Sequence, residues 1–176
     1  MEIERARQLD PLSLIIAADR GAILYFWRQY DPAIAQFRSV LEMEPAFPRA
    51  QMIIYAYVQQ GKYPEALADI AKAGKVDETP WSQSLGIYVL GRSGSRDQAR
   101  RELGKLNNAG WKQQNPLSMA VANVGLDDKD HAFARLEKAY TEHDTSLTAL
   151  KVDPTYDPLR SDPRFNDLLH RLRLQP

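Results

Sequence analysis

Tyr30-Asp31-Pro32-Ala33-Ile34-Ala35-Gln36-Phe37-Arg38-Ser39-Val40-Leu41-Glu42-Met43-Glu44-Pro45 is a single helix written out with both of its boundaries. Asp before Pro suits a helix start, because the carboxylate accepts from free backbone N–H groups and proline loses nothing at the first helical position. Ala33, Phe37 and Val40 fall on one face at helical spacing, and Pro45 ends the run. That face recurs. Ala33, Ala66, Ala99 and Ala132 follow one another at a constant interval of 33. One helical turn further on come Phe37, Ile70, Leu103 and Leu136, and a second turn on come Val40, Ala73, Leu106 and Ala139. A fixed period of this size marks stacked helical units, each burying its apolar face only against its neighbours. Strand signals are poor, since β-branched residues do not alternate with polar ones and no Asn-Gly or Asp-Gly joins such runs. The expected fold class is all-α.

Working outward, residues 14–46, 47–79, 80–112 and 113–146 read as four helix pairs. Their turns fall at Trp27-Arg28-Gln29, Gly61-Lys62-Tyr63-Pro64, Gly94-Ser95-Arg96-Asp97 and Asp127-Asp128-Lys129-Asp130. Glycine there fits a left-handed helix C-cap. Ile3, Ala6 and the closing Leu9-Asp10-Pro11 match the second half of one more repeat helix over 1–11, with Pro11 preceding Pro45 by an offset of 34. The expectation is a chain that begins in mid-repeat, belonging to a longer parent with further helices upstream. At the other end, 147–176 reads as a cap in which three Asp-Pro breaks turn the chain before an amphipathic helix carrying Phe165, Leu168, Leu169 and Leu172.

The stretch Tyr30-x-x-Ala33-Ile34-x-x-Phe37-x-x-x-Leu41-x-Met43-Glu44-Pro45 resembles the second helix of a tetratricopeptide repeat, A-x3-F followed by a proline at a period of about 34. Ankyrin repeats share the interval of about 33, but their T-P-L-H signature is absent. The resemblance implies a right-handed superhelical α-solenoid: a half repeat, about four repeats and a C-terminal capping helix, as one domain over 1–176. The segment Asp153-Pro154-Thr155-Tyr156-Asp157-Pro158-Leu159-Arg160-Ser161-Asp162-Pro163-Arg164-Phe165 resembles the tail closing such regions in bacterial multidomain signalling proteins. Leu9-Asp10-Pro11-Leu12-Ser13 and Lys138-Ala139-Tyr140 are similar to that group as well. Those proteins join the repeats to a winged-helix, serine/threonine kinase or cyclase domain. Four positions depart from the repeat pattern: Arg20 stands where leucine is usual, Glu78 where proline would close the second repeat, Leu85-Gly86 sits one residue off register, and Asp127 replaces the turn glycine.

With Lys plus Arg at 23 and Asp plus Glu at 23, no global field draws the chain to a polyanion, which disfavours direct nucleic-acid binding. No cysteine is present, so disulfides, thiolate metal sites and cysteine nucleophiles are excluded. No run approaches the roughly 18 apolar residues of a spanning helix, and the charged start, 1–7, predicts no export signal of the chain's own. A cytoplasmic location is expected, with the periplasm as the alternative if a parent carries an upstream transmembrane segment.

Catalytic chemistry finds little support. Gly86-x4-Gly91-Arg92-Ser93 departs from a P-loop at one residue, arginine in place of lysine, and lies where a repeat helix meets its turn rather than between a buried strand and a helix. His131, His143 and His170 have no metal-ligand spacing, and Asp127-Asp128-Lys129-Asp130 lacks the spacing, glycine and terminal glutamate of a calcium loop. Arg96, Arg100, Arg101 and Lys105 line one helix face, but Asp97 and Glu102 interrupt it, as in a solvated exterior. No G-x-S-x-G elbow occurs. The expectation is a non-enzyme without cofactor or metal.

What remains is the concave face of the first helices. If Ala50, Ile53, Ile54 and Tyr57 face their partner, the opposite side carries Gln51, Tyr55, Val58 and Gln59. The offset of 33 then gives Ala18, Ala22, Tyr25 and Phe26 in the first unit, and Trp81, Ser84, Tyr88 and Arg92 in the third. Aromatic and arginine side chains are the usual binding anchors. The candidate ligand-binding residues are therefore Tyr25, Gln51, Tyr55, Gln59, Trp81, Tyr88 and Arg92. Ala18 and Ala22 occupy the positions where some members of the repeat family clamp a peptide carboxylate, so a mixed aromatic and polar segment fits better. The expected role is a protein-interaction scaffold for a protein or peptide ligand, with self-association as a homodimer or a spacer role as the alternative and an enzyme as the remote one.

Overall fold

The computed structural model describes residues 2–74, 80–108 and 115–174, and among these every regular element is helical. Glu78 and the stretch 109–114 lie outside the described residues, as does the side chain of Ala73. The chain divides into two compact units, 1–69 and 70–176, with the boundary inside one helix.

The first unit contains α1 (Glu2–Leu9), α2 (Leu14–Phe26), α3 (Tyr30–Met43), and a 3₁₀ segment (Pro48–Met52) that runs into α4 (Ile53–Gln59), followed by the start of α5 (Tyr63–Gly74). α2 packs along α3, and α3 along α4. Ala18, Tyr25, Ala33, Phe37, Val40 and Ile53 are fully enclosed there. α2 reaches α3 closely because Gly21 has no side chain: a Cβ at that position would come within 2.7 Å of the Phe37 ring. Arg20, out of pattern in sequence, links elements instead of filling the core. Its Nε donates to Glu4 Oε1 of α1 at 2.6 Å and its Nη1 to Gln36 Oε1 of α3 at 2.7 Å. The Tyr57 ring is buried, and its hydroxyl accepts from Arg38 at 2.8 Å, so the one polar atom of that core side chain is satisfied.

The second unit contains α6 (Pro80–Arg92), α7 (Arg96–Asn108), α8 (Pro116–Gly125) and α9 (Lys129–Thr141), then 3₁₀ segments Thr145–Ala149 and Pro154–Leu159, and α10 (Pro163–Arg171). α6 packs on α7 and α8, and α8 on α9. Ile87, Ala99, Leu106, Met119, Ala122 and Leu126 form one core cluster.

The constant interval governs backbone geometry and not only composition. α3, α5, α7 and α9 begin at Tyr30, Tyr63, Arg96 and Lys129, while α2, α4, α6 and α8 end at Phe26, Gln59, Arg92 and Gly125. Between each pair one residue turns left-handed: Arg28 at φ 62°, Gly61 at 70°, Gly94 at 92° and Asp127 at 61°. Each turn closes with the same backbone bond, Gln29 to Leu24, Lys62 to Tyr57, Ser95 to Leu90 and Asp128 to Asn123, at 2.9 to 3.0 Å. That is the wide bond of a Schellman cap, which satisfies a helix-end carbonyl. The alanines sit one step on. The N–H groups of Ala33, Ala66, Ala99 and Ala132 donate to Gln29, Lys62, Ser95 and Asp128 at 3.0 to 3.1 Å, and all four alanines are 0 % exposed.

The tail keeps the register in altered form. α10 packs on α9, burying Phe165, Leu168 and Leu169. Asp162 follows Asp128 at an offset of 34, and each carboxylate caps the helix it precedes, accepting from Arg164 N at 3.0 Å and His131 N at 3.2 Å. Where a first helix would precede α10, the prolines at 154 and 158 leave only short 3₁₀ turns.

Candidate binding face

Seven positions were expected to face a ligand, and they divide between the two units. In the first unit Tyr25 is 0 % exposed and serves as an aromatic hub. Its ring lies 5.4 Å from Phe26, 6.0 Å from Tyr30 and 6.4 Å from Tyr55, all tilted. Such tilted contacts favour the ring quadrupoles and fix the rings relative to one another. Phe26, Tyr30, Tyr55 and Gln59 are half-buried. A ligand can therefore meet the outer rings, whereas Tyr25 is their support and not itself a contact. Gln51 is also buried, at 8 % exposure, and its amide reaches the Pro45 carbonyl at 3.4 Å. Its expected outward position is corrected to one that fastens the loop after α3.

In the second unit Tyr88 is 1 % exposed and corrected in the same way. The reason is a close helix contact: a Cβ on Gly125 would stand 2.5 Å from Tyr88 Cα, and one on Gly91 would stand 2.3 Å from the Gly125 carbonyl oxygen. α6 and α8 thus touch backbone to backbone, and the residues near the contact are enclosed. This also assigns Gly91 of the P-loop-like Gly86-x4-Gly91-Arg92-Ser93 to helix packing. Trp81 remains half-buried and Arg92 exposed at opposite ends of α6, and Ser84 is buried with its hydroxyl 3.7 Å from Met119 Sδ.

The other clusters weighed in sequence take structural positions. Asp128 caps α9 and meets His131 Nδ1 at 2.9 Å. Asp130 pairs with Arg164 at 2.8 Å, and Asp127 stands 3.8 Å from Arg96. Among the described residues, no three His, Asp or Glu side chains converge as metal ligands would. Arg164 lies over the Phe133 ring at 4.3 Å and Arg171 over Tyr140 at 4.8 Å. Hydrogen bonds from Arg164 hold the Asp162 carboxyl well below its ordinary range, at about 2. Arg164 itself is pushed up, first by Asp162 and then by Asp130.

One concave feature was not anticipated. In the second unit a cleft of about 810 Å³ opens between α7, the α8–α9 turn and α10, with Leu103, Gly104 and Leu126 in its wall and a rim of both signs, Arg100, Lys129 and Arg164 beside the aspartates at 127, 128 and 130. Gly104 leaves the space open, since nothing lies within 4 Å of where its Cβ would be. The signal was available in sequence: one repeat to either side, the same helix position holds Ala71 and Glu137.

No family model matches the chain, and neither the curated proteins nor the solved structures contain a match to it. Among the described residues no helix is long and apolar enough to cross a membrane.

Proposed function

We propose that the chain is a tetratricopeptide-type repeat protein that binds a protein or peptide segment and performs no catalysis. The observation that carries the repeat reading is the recurrence, at a constant step along the chain, of a left-handed turn residue, a Schellman bond and an enclosed alanine. Helix pairs of this kind bury one face on their neighbours and leave the other for a partner. The binding reading rests on the first unit, where Phe26, Tyr55 and Gln59 offer partly accessible aromatic and amide groups on the rigid floor supplied by Tyr25. Rigid aromatic groups lose little conformational freedom on binding, which is why they dominate interface energetics. Trp81 and Arg92 are the corresponding accessible anchors of the second unit. The likeness of 153–165 to the tails of bacterial signalling proteins supports a regulatory role beside a kinase, cyclase or winged-helix domain, in the cytoplasm.

Selection from a displayed peptide library on the purified chain tests this reading. Enriched sequences should carry an aromatic or apolar residue among polar ones, and their binding should fall when Tyr55→Ala and Gln59→Ala are combined in a protein of unchanged helicity. An absence of enrichment, or enrichment indifferent to those substitutions, overturns it.

A further inference from the structure

α1 packs on α2, yet none of its described side chains is buried: Ile3, Glu4 and Ala6 are half-enclosed and the others exposed. Its eight residues are fewer than the roughly 12–15 that an isolated helix needs to persist in water, so α1 is helical only while it is docked. One side-chain hydrogen bond crosses from it to the rest of the described chain, from Arg20 Nε of α2 to Glu4 Oε1 at 2.6 Å. That bond holds the Glu4 carboxyl below the ordinary carboxylate range, with help from Arg7 of α1, 3.3 Å from the other oxygen.

The receiving side is set up independently of α1. Arg20 Nη1 donates to Gln36 Oε1 of α3 at 2.7 Å, and a guanidinium is planar, so fixing one nitrogen orients the Nε that meets Glu4. Ile16 and Ile23 lie one helical turn to either side of Arg20 on the same face of α2, and all three are half-buried. An oriented cation between two branched apolar side chains matches a helix that carries a carboxylate among apolar residues. α1 is such a helix, with Ile3, Glu4 and Ala6. It holds its place through one ion pair and partial burial, so an equivalent segment arriving from outside competes with it on nearly equal contacts, against only the advantage of tethering.

We infer that the face of α2 and α3 around Arg20 is a docking site for an amphipathic helix of a partner protein bearing a carboxylate among apolar residues, and that α1 occupies it as an intramolecular competitor. The inference uses no residue of the aromatic face and stands apart from what that face binds.

A fluorescein-labelled synthetic peptide with the sequence of residues 2–12 is the probe, read by fluorescence anisotropy on the full chain. The parent should bind it weakly, because α1 already fills the site. Glu4→Arg sets two guanidinium groups against each other and should raise the affinity by about tenfold or more, since apparent affinity scales with the fraction of open sites. Hydrogen exchange of the amides in 2–9 should quicken in that variant while α2 and α3 exchange as in the parent, which shows that only α1 has left. Adding Arg20→Ala to Glu4→Arg should abolish the gain. Arg20→Glu should instead select a probe whose own glutamate, the one matching Glu4, is replaced by arginine, and this exchange of partners is a readout that loss of folding cannot imitate. Equal affinity of the parent and Glu4→Arg, no saturable binding to either, or binding that ignores both Arg20 substitutions overturns the inference.

Discussion

Gly86 and Gly91, both on α6, should respond in opposite directions to the same added methyl group. Alanine at Gly91 would put a Cβ 2.3 Å from the Gly125 carbonyl oxygen and 2.5 Å from its carbon. These are backbone atoms of α8 and no rotamer can clear them, so the helices must separate. Overpacking of this kind costs about 1–3 kcal/mol, and a contact with main chain falls toward the upper end. Replacing glycine by alanine inside a helix returns about 1 kcal/mol through lower unfolded-state entropy. The net expectation for Gly91→Ala is destabilisation by about 2 kcal/mol, a fall in Tm of about 4–8 °C for a chain of this length. At Gly86 an added Cβ meets nothing within 4 Å. Only the helix gain remains there, so Gly86→Ala should raise Tm by about 1–4 °C. Calorimetric or circular-dichroism melts of the two variants and the parent provide the assay. If Gly91→Ala melts at or above the parent, the backbone contact between α6 and α8 is not what encloses Tyr88, and the packing argument fails.

Ala66→Leu should destabilise by roughly 1–3 kcal/mol, because Ala66 is 0 % exposed and extra bulk has nowhere to go; a melt no lower than the parent's would contradict the register. His143 closes α9 at φ 57°, a conformation that strains a side chain but not glycine, so His143→Gly should stabilise by about 0.5–1 kcal/mol in a urea titration. Because Asp162 titrates at about 2 when folded, against an ordinary 3.8, its contribution is complete above the ordinary value and drains away as pH falls from there toward 2. Arg164→Ala removes the main cause of that depression, so the acid limb of a stability-versus-pH curve should flatten between those values. A limb of unchanged steepness would place the acid sensitivity elsewhere.

Much of the local architecture could be read directly. Gly61, Gly94 and the alanine interval mark helix ends because left-handed turns depend on a few neighbouring residues. Asp31-Pro32 marks the start of α3 but not by the expected cap, since the helix begins at Tyr30 after Gln29, which makes no side-chain cap bond, and the Asp31 carboxylate instead lies 3.5 Å from Lys62 Nζ. Arg28 was less legible, since nothing in an arginine announces a positive φ; only its offset of 33 from Gly61 does. The exposed side of the first helices was read less well. Helical spacing assigned Tyr25, Gln51 and Tyr88 to the open side, yet they are 0 %, 8 % and 1 % exposed. A helix wheel supplies one angle per residue. How much of the wheel is covered depends on how closely the next helix approaches, and at Tyr88 that distance is set partly by Gly125, on another helix.

The sequence by itself determined that the chain is helical, where its helices start and stop, and which alanine of each pair is enclosed, because these follow from hydrogen bonds and contacts between near neighbours along the chain. Only the tertiary structure decided which aromatic rings remain accessible, what holds Arg20 and Arg164, and where the cleft beside Gly104 opens. Those outcomes depend on distances between elements far apart in the chain, and a one-dimensional periodicity carries no record of such distances.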